Sequence, residues 1–340
     1  MDLSHTLGQK LLLAFEGKQS PSKEIIQALK SYQPAGITLF RSLNIENPPQ
    51  VRSLTEALQR QAKEIGLPPL LIATDQEGGQ LMAVGEGTTH LPGNMALGAC
   101  GSVDIARRAG EVLGRELAAM GINVDYAPCA DVNVNPNNPV VGIRSFGEDP
   151  ATVPQLTAAM VAGIQSQGVA ATAKHFPGHG DVANDSHYGL PTLPHSLERL
   201  QKVELPPFQA AISAGTKLIM TAHISLPALD GPDAPPATLS RNILQNLLRR
   251  QLGFEGVIVT DAMDMRAIRQ GEFLGQEAIR AAQAGADLLL LTADPKDQER
   301  VATALTQALK SRELDLVETR NSINRILELK RWLSIHATMP

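Results

Sequence analysis

Eight short apolar runs, each separated by a stretch with helical periodicity, predict an α/β fold of the (β/α)8 TIM-barrel class. The runs are almost continuously apolar rather than alternating, as parallel strands buried on both faces require. Five of them deliver a charged or imidazole side chain at or near the carboxyl end, the rim where barrel chemistry gathers. No Rossmann glycine fingerprint accompanies the pattern. A doubly wound open sheet is the main structural competitor, and periodicity alone leaves it open.

The strands are expected at residues 10–15, 36–40, 70–74, 123–127, 169–175, 217–222, 256–260 and 286–291. Between them, residues 105–120 carry Ala106, Ala109, Leu113 and Leu117 at three- and four-residue steps, which puts them on one helical face. Residues 239–251, with Ser240 as the expected N-cap, and residues 276–284 behave similarly. The tail, residues 317–332, reads as a helix with Thr319, Ile323, Ile326 and Leu327 toward its buried side. The proline-rich residues 227–236 read as a surface loop after the sixth strand. No long linker, charge block or low-complexity segment divides the chain, so one domain over residues 1–340 is expected.

With 340 residues and 43% hydrophobic content, the chain can bury a large core. A net charge of −5 with scattered lysines and arginines argues against nucleic acid as a partner. Cys100 and Cys129, without CxxC spacing, read as reduced thiols. The apolar patch at residues 11–15 is far shorter than a secretory core or a membrane span. A cytoplasmic monomer without a membrane partner is the expectation.

Residues 174–187 hold three histidines and two aspartates in a loop punctuated by Pro177, Gly178 and Gly180. Loops held on a rigid scaffold are where chemistry tends to sit. Lys174 and His175 end the fifth run, and both reach the rim if the backbone bends into the Pro177–Gly178 turn. Asp185 and His187 are one residue apart, a spacing that lets a carboxylate orient an imidazole for general acid–base work. The competing reading is a carboxylate that only stabilises the loop turn.

Asp75 follows the third run and opens DQEGGQ, where two glycines allow a sharp turn and close approach to a ligand. Asp75 or Glu77 can accept hydrogen bonds from a polyol, against a turn with incidental charge. Asp125 lies near the end of the fourth run and His223 ends the sixth. Arg144, in NNPVVGIRSFGEDP, reads as a charged donor in an ordered loop or as an ion-pair partner of Glu148 or Asp149. Asp261 ends the seventh run as a nucleophile or electrostatic partner, with an N-cap for a following helix as the alternative. Asp264 is the neighbouring carboxylate, expected inside that helical turn.

DQEGG, NNPVVGIRSFGEDP, KHFPGHGD, DSH and GVIVTDAM, in this order and near these spacings, resemble family 3 glycoside hydrolases. DSH makes the chain similar to the bacterial β-N-acetylhexosaminidase branch, and the similarity runs from about residue 7 to about residue 329. The resemblance implies a TIM barrel that hydrolyses a terminal β-linked N-acetylglucosamine with retention, acting on cell-wall fragments or small glycosides. Asp261 then matches the nucleophile, His187 the general acid and base, and Asp185 its orienting partner. Asp75, Arg144, Lys174 and His175 match sugar-binding residues, and neither a metal nor a cofactor is implied. A histidine acid departs from the usual pair of carboxylates, and neutral imidazole does not repel an anionic nucleophile.

The chain departs from the family pattern where Gln80 and Ala83 stand in place of the arginines of DQEGGRVxR. The sandwich domain that follows the barrel in many larger members is not expected within these residues. A phosphorylase or β-glucosidase of the same family is the nearest rival. A metal-dependent hydrolase using His175, His179, Asp181, His187 and His223 is a more distant one. So is a catalytically silent sugar-binding protein.

Overall fold

The structure, a computed structural model, describes residues 6–185 and 189–336. Eight parallel strands form the central sheet: β1 Leu11–Leu13, β2 Gly36–Thr38, β3 Leu71–Thr74, β4 Val124–Asp125, β5 Ala170–Phe176, β6 Leu218–Thr221, β7 Val257–Thr260 and β8 Leu289–Leu291. Each coincides with one expected run, and neighbours in the chain are neighbours in the sheet from β1 to β7. β8 pairs with β1, and a parallel bridge between Val259 and Leu288 joins β7 to the eighth run. The order closes on itself, so the (β/α)8 barrel holds and the open doubly wound sheet does not.

Side chains alternate across the barrel wall. Leu12, Leu71, Ala73, Val124, Leu218, Met220, Val257 and Val259 belong to an inner cluster, whereas Leu11, Leu13, Ile37, Ile72, Ile219 and Ile258 join the outer one under the helices. The pleat therefore explains the nearly continuous apolar runs, because both faces are buried. Ile326, Leu329 and Leu333 of the C-terminal helix Leu316–His336 belong to the inner cluster and close the barrel at its amino end.

The first seven strands are each followed by a helix that returns the chain, among them Lys23–Tyr32, Pro48–Glu64, Val103–Ala119, Thr152–Gln165 and Pro206–Ser213. Ser22, Asn47 and Ser102 cap three of these by accepting N–H bonds at their first turns. Ser240 accepts from the Ile243 N–H at 3.1 Å, as expected of a cap, although the regular helix runs Asn242–Gln251. Within residues 227–236 a short helical turn, Pro227–Asp230, stands where a plain loop is expected.

The expected strands are longer than the observed ones at both ends of the barrel sequence. Lys10 sits in a tight turn, Leu7–Lys10, and its buried ammonium donates to the Ala286 carbonyl at 2.8 Å and to Ser322 Oγ at 2.6 Å. Asp287 precedes β8, and its carboxylate is engaged by Arg249 at 2.5 Å and Arg325 at 3.1 Å. Among the described residues, no helix is long and apolar enough to cross a membrane. Cys100 is exposed and Cys129 buried, both as free thiols.

Candidate active site

Polar residues at the carboxyl ends of β3, β5 and β7 converge on a cavity of about 430 Å³ at the mouth of the barrel. Asp75, Arg144, Lys174, His175 and Asp261 all line it, so the structure brings together five of the seven expected site residues. Asp185 is described and partly exposed, on the loop after β5. His187 lies outside the described residues.

β3 ends on Thr74, and the chain turns at once into a hairpin, Gln76–Gly78 against Leu81–Met82, where the two glycines predict only a sharp turn. Gly79, at φ 61°, lies so close to Gly93 that a Cβ would meet the Gly93 Cα at 2.8 Å. The hairpin directs Asp75 and Glu77 to a common pair of cations. Lys174 Nζ lies 2.6 Å from Asp75 Oδ1 and 2.6 Å from Glu77 Oε1. Arg144 adds a two-pronged contact to Glu77, Nε to Oε2 at 2.9 Å and an Nη to Oε1 at 2.7 Å. Arg144 thus pairs across the barrel mouth with Glu77, not with the sequence neighbours Glu148 or Asp149.

Electrostatics follow from this count of charges. Burial alone would raise the Glu77 carboxyl, but Lys174 and Arg144 bring it down to about 2. Burial would lower the Lys174 ammonium, and Asp75 with Glu77 reverse that and hold it above its ordinary range. Two cations therefore match two carboxylates. Asp125, at the end of β4, accepts the Gln76 N–H at 3.0 Å but gains no cation of its own. Burial pushes its carboxyl well up, and Asp125 is not among the residues that line the cavity.

The peptide bond between Lys174 and His175 is cis, and both side chains line the cavity. His175 Nδ1 lies 2.7 Å from Asp131 Oδ2, and its Nε2 faces an Arg144 nitrogen at 3.4 Å. Asp131 is the functional residue that sequence reasoning missed. Fully buried, it also accepts the backbone N–H groups of His175 at 3.2 Å and His179 at 2.6 Å. Burial would raise this carboxyl, yet the imidazoles of His175 and His179 keep it below the usual carboxylate range. The signal was a lone aspartate after the fourth strand, which only the folded chain connects to His175.

His179 lines the cavity and also supports the loop: its carbonyl accepts from Asn138 Nδ2 at 2.7 Å, and burial brings its imidazole down to about 4. His223 is buried at the end of β6, with Nδ1 2.7 Å from Thr238 Oγ1 and Nε2 3.0 Å from the Ala262 carbonyl. The rings of His175 and His223 are thus engaged with different protein groups. Two other trios of ligating side chains come within reach of one another, Cys129–Asp131–His175 and Asp181–His195–Glu204. In the first, the Cys129 thiol donates to Asp131 Oδ2 at 3.2 Å, and the same carboxylate meets His175. In the second, Arg199 already sits 3.6 Å from Asp181 and 3.2 Å from Glu204.

Asp261 follows β7 directly, and its Oδ1 accepts the Ala262 N–H at 2.8 Å. No helix starts there: residues 262–270 are irregular, and the next regular helix is Leu274–Ala284, so the N-cap reading fails. Burial alone would raise this carboxyl, but His223, His175, the Ala262 amide and Lys174 hold it below its ordinary value. Burial also lowers the His223 imidazole. Asp264 is exposed in the turn beyond and accepts from Thr292 Oγ1 at 2.8 Å.

Gln80 is exposed at the hairpin tip, and Ala83 is 6% exposed within the outer core. Neither lines the cavity, whose cations come from Lys174 and Arg144.

The family model described as "Glycosyl hydrolase family 3 N terminal domain" matches residues 4–329. A "Beta-hexosaminidase A" of Pseudoalteromonas piscicida is 38% identical, with 97% of this chain and 61% of that protein covered. A "Beta-hexosaminidase" of Nitrosomonas eutropha is 34% identical, over 88% of this chain and 86% of that one. Among solved structures, a glycoside hydrolase family 3 β-N-acetylglucosaminidase from Paenibacillus sp. superposes with a TM-score of 0.96 at 42% identity, covering 100% of this chain and 64% of that one. This chain thus spans about three-fifths of the first of these relatives and of that solved chain. A closed barrel, an ionised carboxylate after β7 and a family match over nearly the full sequence agree: the chain belongs to family 3 of the glycosyl hydrolases.

Proposed function

We propose that this chain is a retaining exo-β-N-acetylglucosaminidase that removes terminal β-linked N-acetylglucosamine from cell-wall fragments or small glycosides. The observation that carries the reading is the Asp261 carboxylate, held ionised in the same cavity as the Asp75–Lys174–His175–Arg144 cluster. The hexosaminidase relatives support the choice of sugar.

In the first step an Asp261 oxygen attacks the anomeric carbon and forms a glycosyl–Asp261 ester, while the bond to the leaving-group oxygen breaks. The Asp185–His187 pair gives that oxygen its proton. In the second step the same imidazole takes a proton from water, whose oxygen attacks the anomeric carbon and restores the Asp261 carboxylate. Lys174 and Arg144 serve as donors to sugar oxygens and Asp75 as an acceptor. His175 is oriented for its contact by Asp131, and Glu77 holds both cations in place.

The test is release of p-nitrophenol from p-nitrophenyl β-N-acetylglucosaminide, with the β-glucoside as comparison, in buffer with and without phosphate. The acetamido sugar is expected to be preferred, free sugar to be the product in both buffers, and Asp261→Ala to abolish turnover. Wild-type turnover by that variant removes the nucleophile assignment, and sugar 1-phosphate as the product replaces hydrolysis by phosphorolysis.

A further inference from the structure

The loop that leaves β5 and carries Asp185 is anchored separately on each limb. On the outgoing limb, the His179 N–H donates to Asp131 at 2.6 Å, and Asn138 Nδ2 donates to the carbonyls of His179 at 2.7 Å and Val182 at 3.2 Å. On the returning limb, the Leu193 N–H reaches the Ser225 carbonyl at 2.9 Å, and the Ser225 N–H reaches the Pro191 carbonyl at 2.8 Å. A side-chain contact spans the two limbs: His195 Nε2 lies 2.6 Å from Asp181 Oδ2. Residues 183–190 lie in sequence between these anchors.

The pair rests on a built base. Arg199 lies 3.6 Å from the same Asp181 oxygen and 3.2 Å from Glu204 Oε1. Glu204 is 1% exposed, and its stem lies under Gly178, where a Cβ would meet the Glu204 Cβ at 2.8 Å. Gly178, at φ 128°, is the turn directly beyond Lys174–His175. The pair is therefore tied through Arg199 and Glu204 to the turn that ends the sugar-binding strand. Loss of the pair leaves the backbone bonds of each limb to the barrel in place and loosens the contact between the limbs.

We infer that Asp181 and His195 are positioning residues for the acid–base step: their contact fixes the spacing of the two limbs and with it the presentation of the span that carries Asp185. The inference rests on the acid–base role proposed above for this loop. Neither residue is among those lining the cavity, so their effect acts through geometry and falls on proton transfer rather than on sugar binding.

Leaving-group dependence tests this. A dinitrophenyl β-N-acetylglucosaminide departs without protonation, whereas a phenyl glycoside needs the acid, which is worth about 10²- to 10⁴-fold. In Asp181→Asn and His195→Ala, kcat/KM on the phenyl glycoside, which reports the glycosylation step, is expected to fall about tenfold or more, within the range a general acid contributes. kcat/KM on the dinitrophenyl glycoside should stay within about threefold, and His195→Gln, which keeps a donor in reach of Asp181, should recover most of the loss on the phenyl glycoside. Equal losses on both glycosides, or none on either, overturn the inference. The same panel on His187→Ala separates the two readings. If that variant shows no leaving-group dependence, the acid–base assignment fails and the positioning role falls with it. If it does and the pair variants do not, only the positioning role is wrong.

Discussion

Asp131 Oδ2 stands 2.7 Å from His175 Nδ1, so a buried carboxylate sets which ring nitrogen this cavity-lining histidine turns toward the cavity. Asp131→Asn keeps the shape but places an amide donor among groups that are themselves donors. Hydrogen bonds to a charged acceptor are worth ~1.5–3 kcal/mol each. Activity on p-nitrophenyl β-N-acetylglucosaminide is expected to fall about 10- to 100-fold in kcat/KM, the equivalent of one such bond. Unchanged kinetics in a folded variant would free His175 from this dependence.

Glu77 bridges Lys174 and Arg144, and removing its charge leaves Lys174 paired with Asp75 while the Arg144 guanidinium loses its carboxylate. Breaking such a pair from one side costs about 3–5 kcal/mol, so Glu77→Gln is expected to shift the urea unfolding midpoint strongly downward. The pH dependence has a definite sign. The folded carboxyl titrates at about 2 and its ordinary value is 4.5, so the contribution is present above pH 4.5 and lost as pH falls toward 2. Wild type is expected to lose stability across that window, and Glu77→Gln to lose less. Parallel profiles would contradict the bridge.

Much of this was legible in the chain. All eight apolar runs became barrel strands, because burial on both faces writes a continuous signal that short parallel strands cannot avoid. Asp75, Lys174, His175 and Asp261 were legible because each ends a strand and the closed barrel sends strand ends to one rim. Pairing was not legible. Arg144 meets Glu77, 67 positions away, and Asp131 meets His175 across 44, separations that no local pattern encodes. The hairpin after Asp75 was hidden because its strands are three and two residues long, too short for periodicity. The helix expected after Asp261 began at Leu274 because residues 262–270 take an irregular path beside the cavity.

At the opposite end of the barrel, Lys330 Nζ donates to Gln9 Oε1 at 2.8 Å, and burial brings its ammonium down to about 7. Lys10 comes down to about 8 by burial, only partly offset by Asp287. Both ordinarily titrate near 10.5, so between pH 7 and 10.5 the unfolded chain binds more protons than the folded one. Stability from these groups therefore rises with pH across that window. Lys330→Met is expected to raise the thermal midpoint at pH 6 and to give a smaller gain at pH 9.5. A gain that grows with pH would reverse the sign and contradict the buried cation.

Asp264 shares the cavity with Asp261 but is exposed and bonded to Thr292. Losing one such contact costs about 1 kcal/mol, so Asp264→Asn is expected to retain at least about a tenth of wild-type kcat. A loss as deep as that of Asp261→Ala would move the nucleophile to Asp264.

The nucleophilic role of Asp261 is tested most directly by trapping. A 5-fluoro glycosyl fluoride of N-acetylglucosamine forms the covalent intermediate quickly and releases it slowly. Peptide mass analysis of the inactivated protein is expected to find the fluorosugar on the carboxylate of Asp261. Label on Asp264 or another residue, or continued turnover of the reagent with no adduct at any residue, would contradict the account.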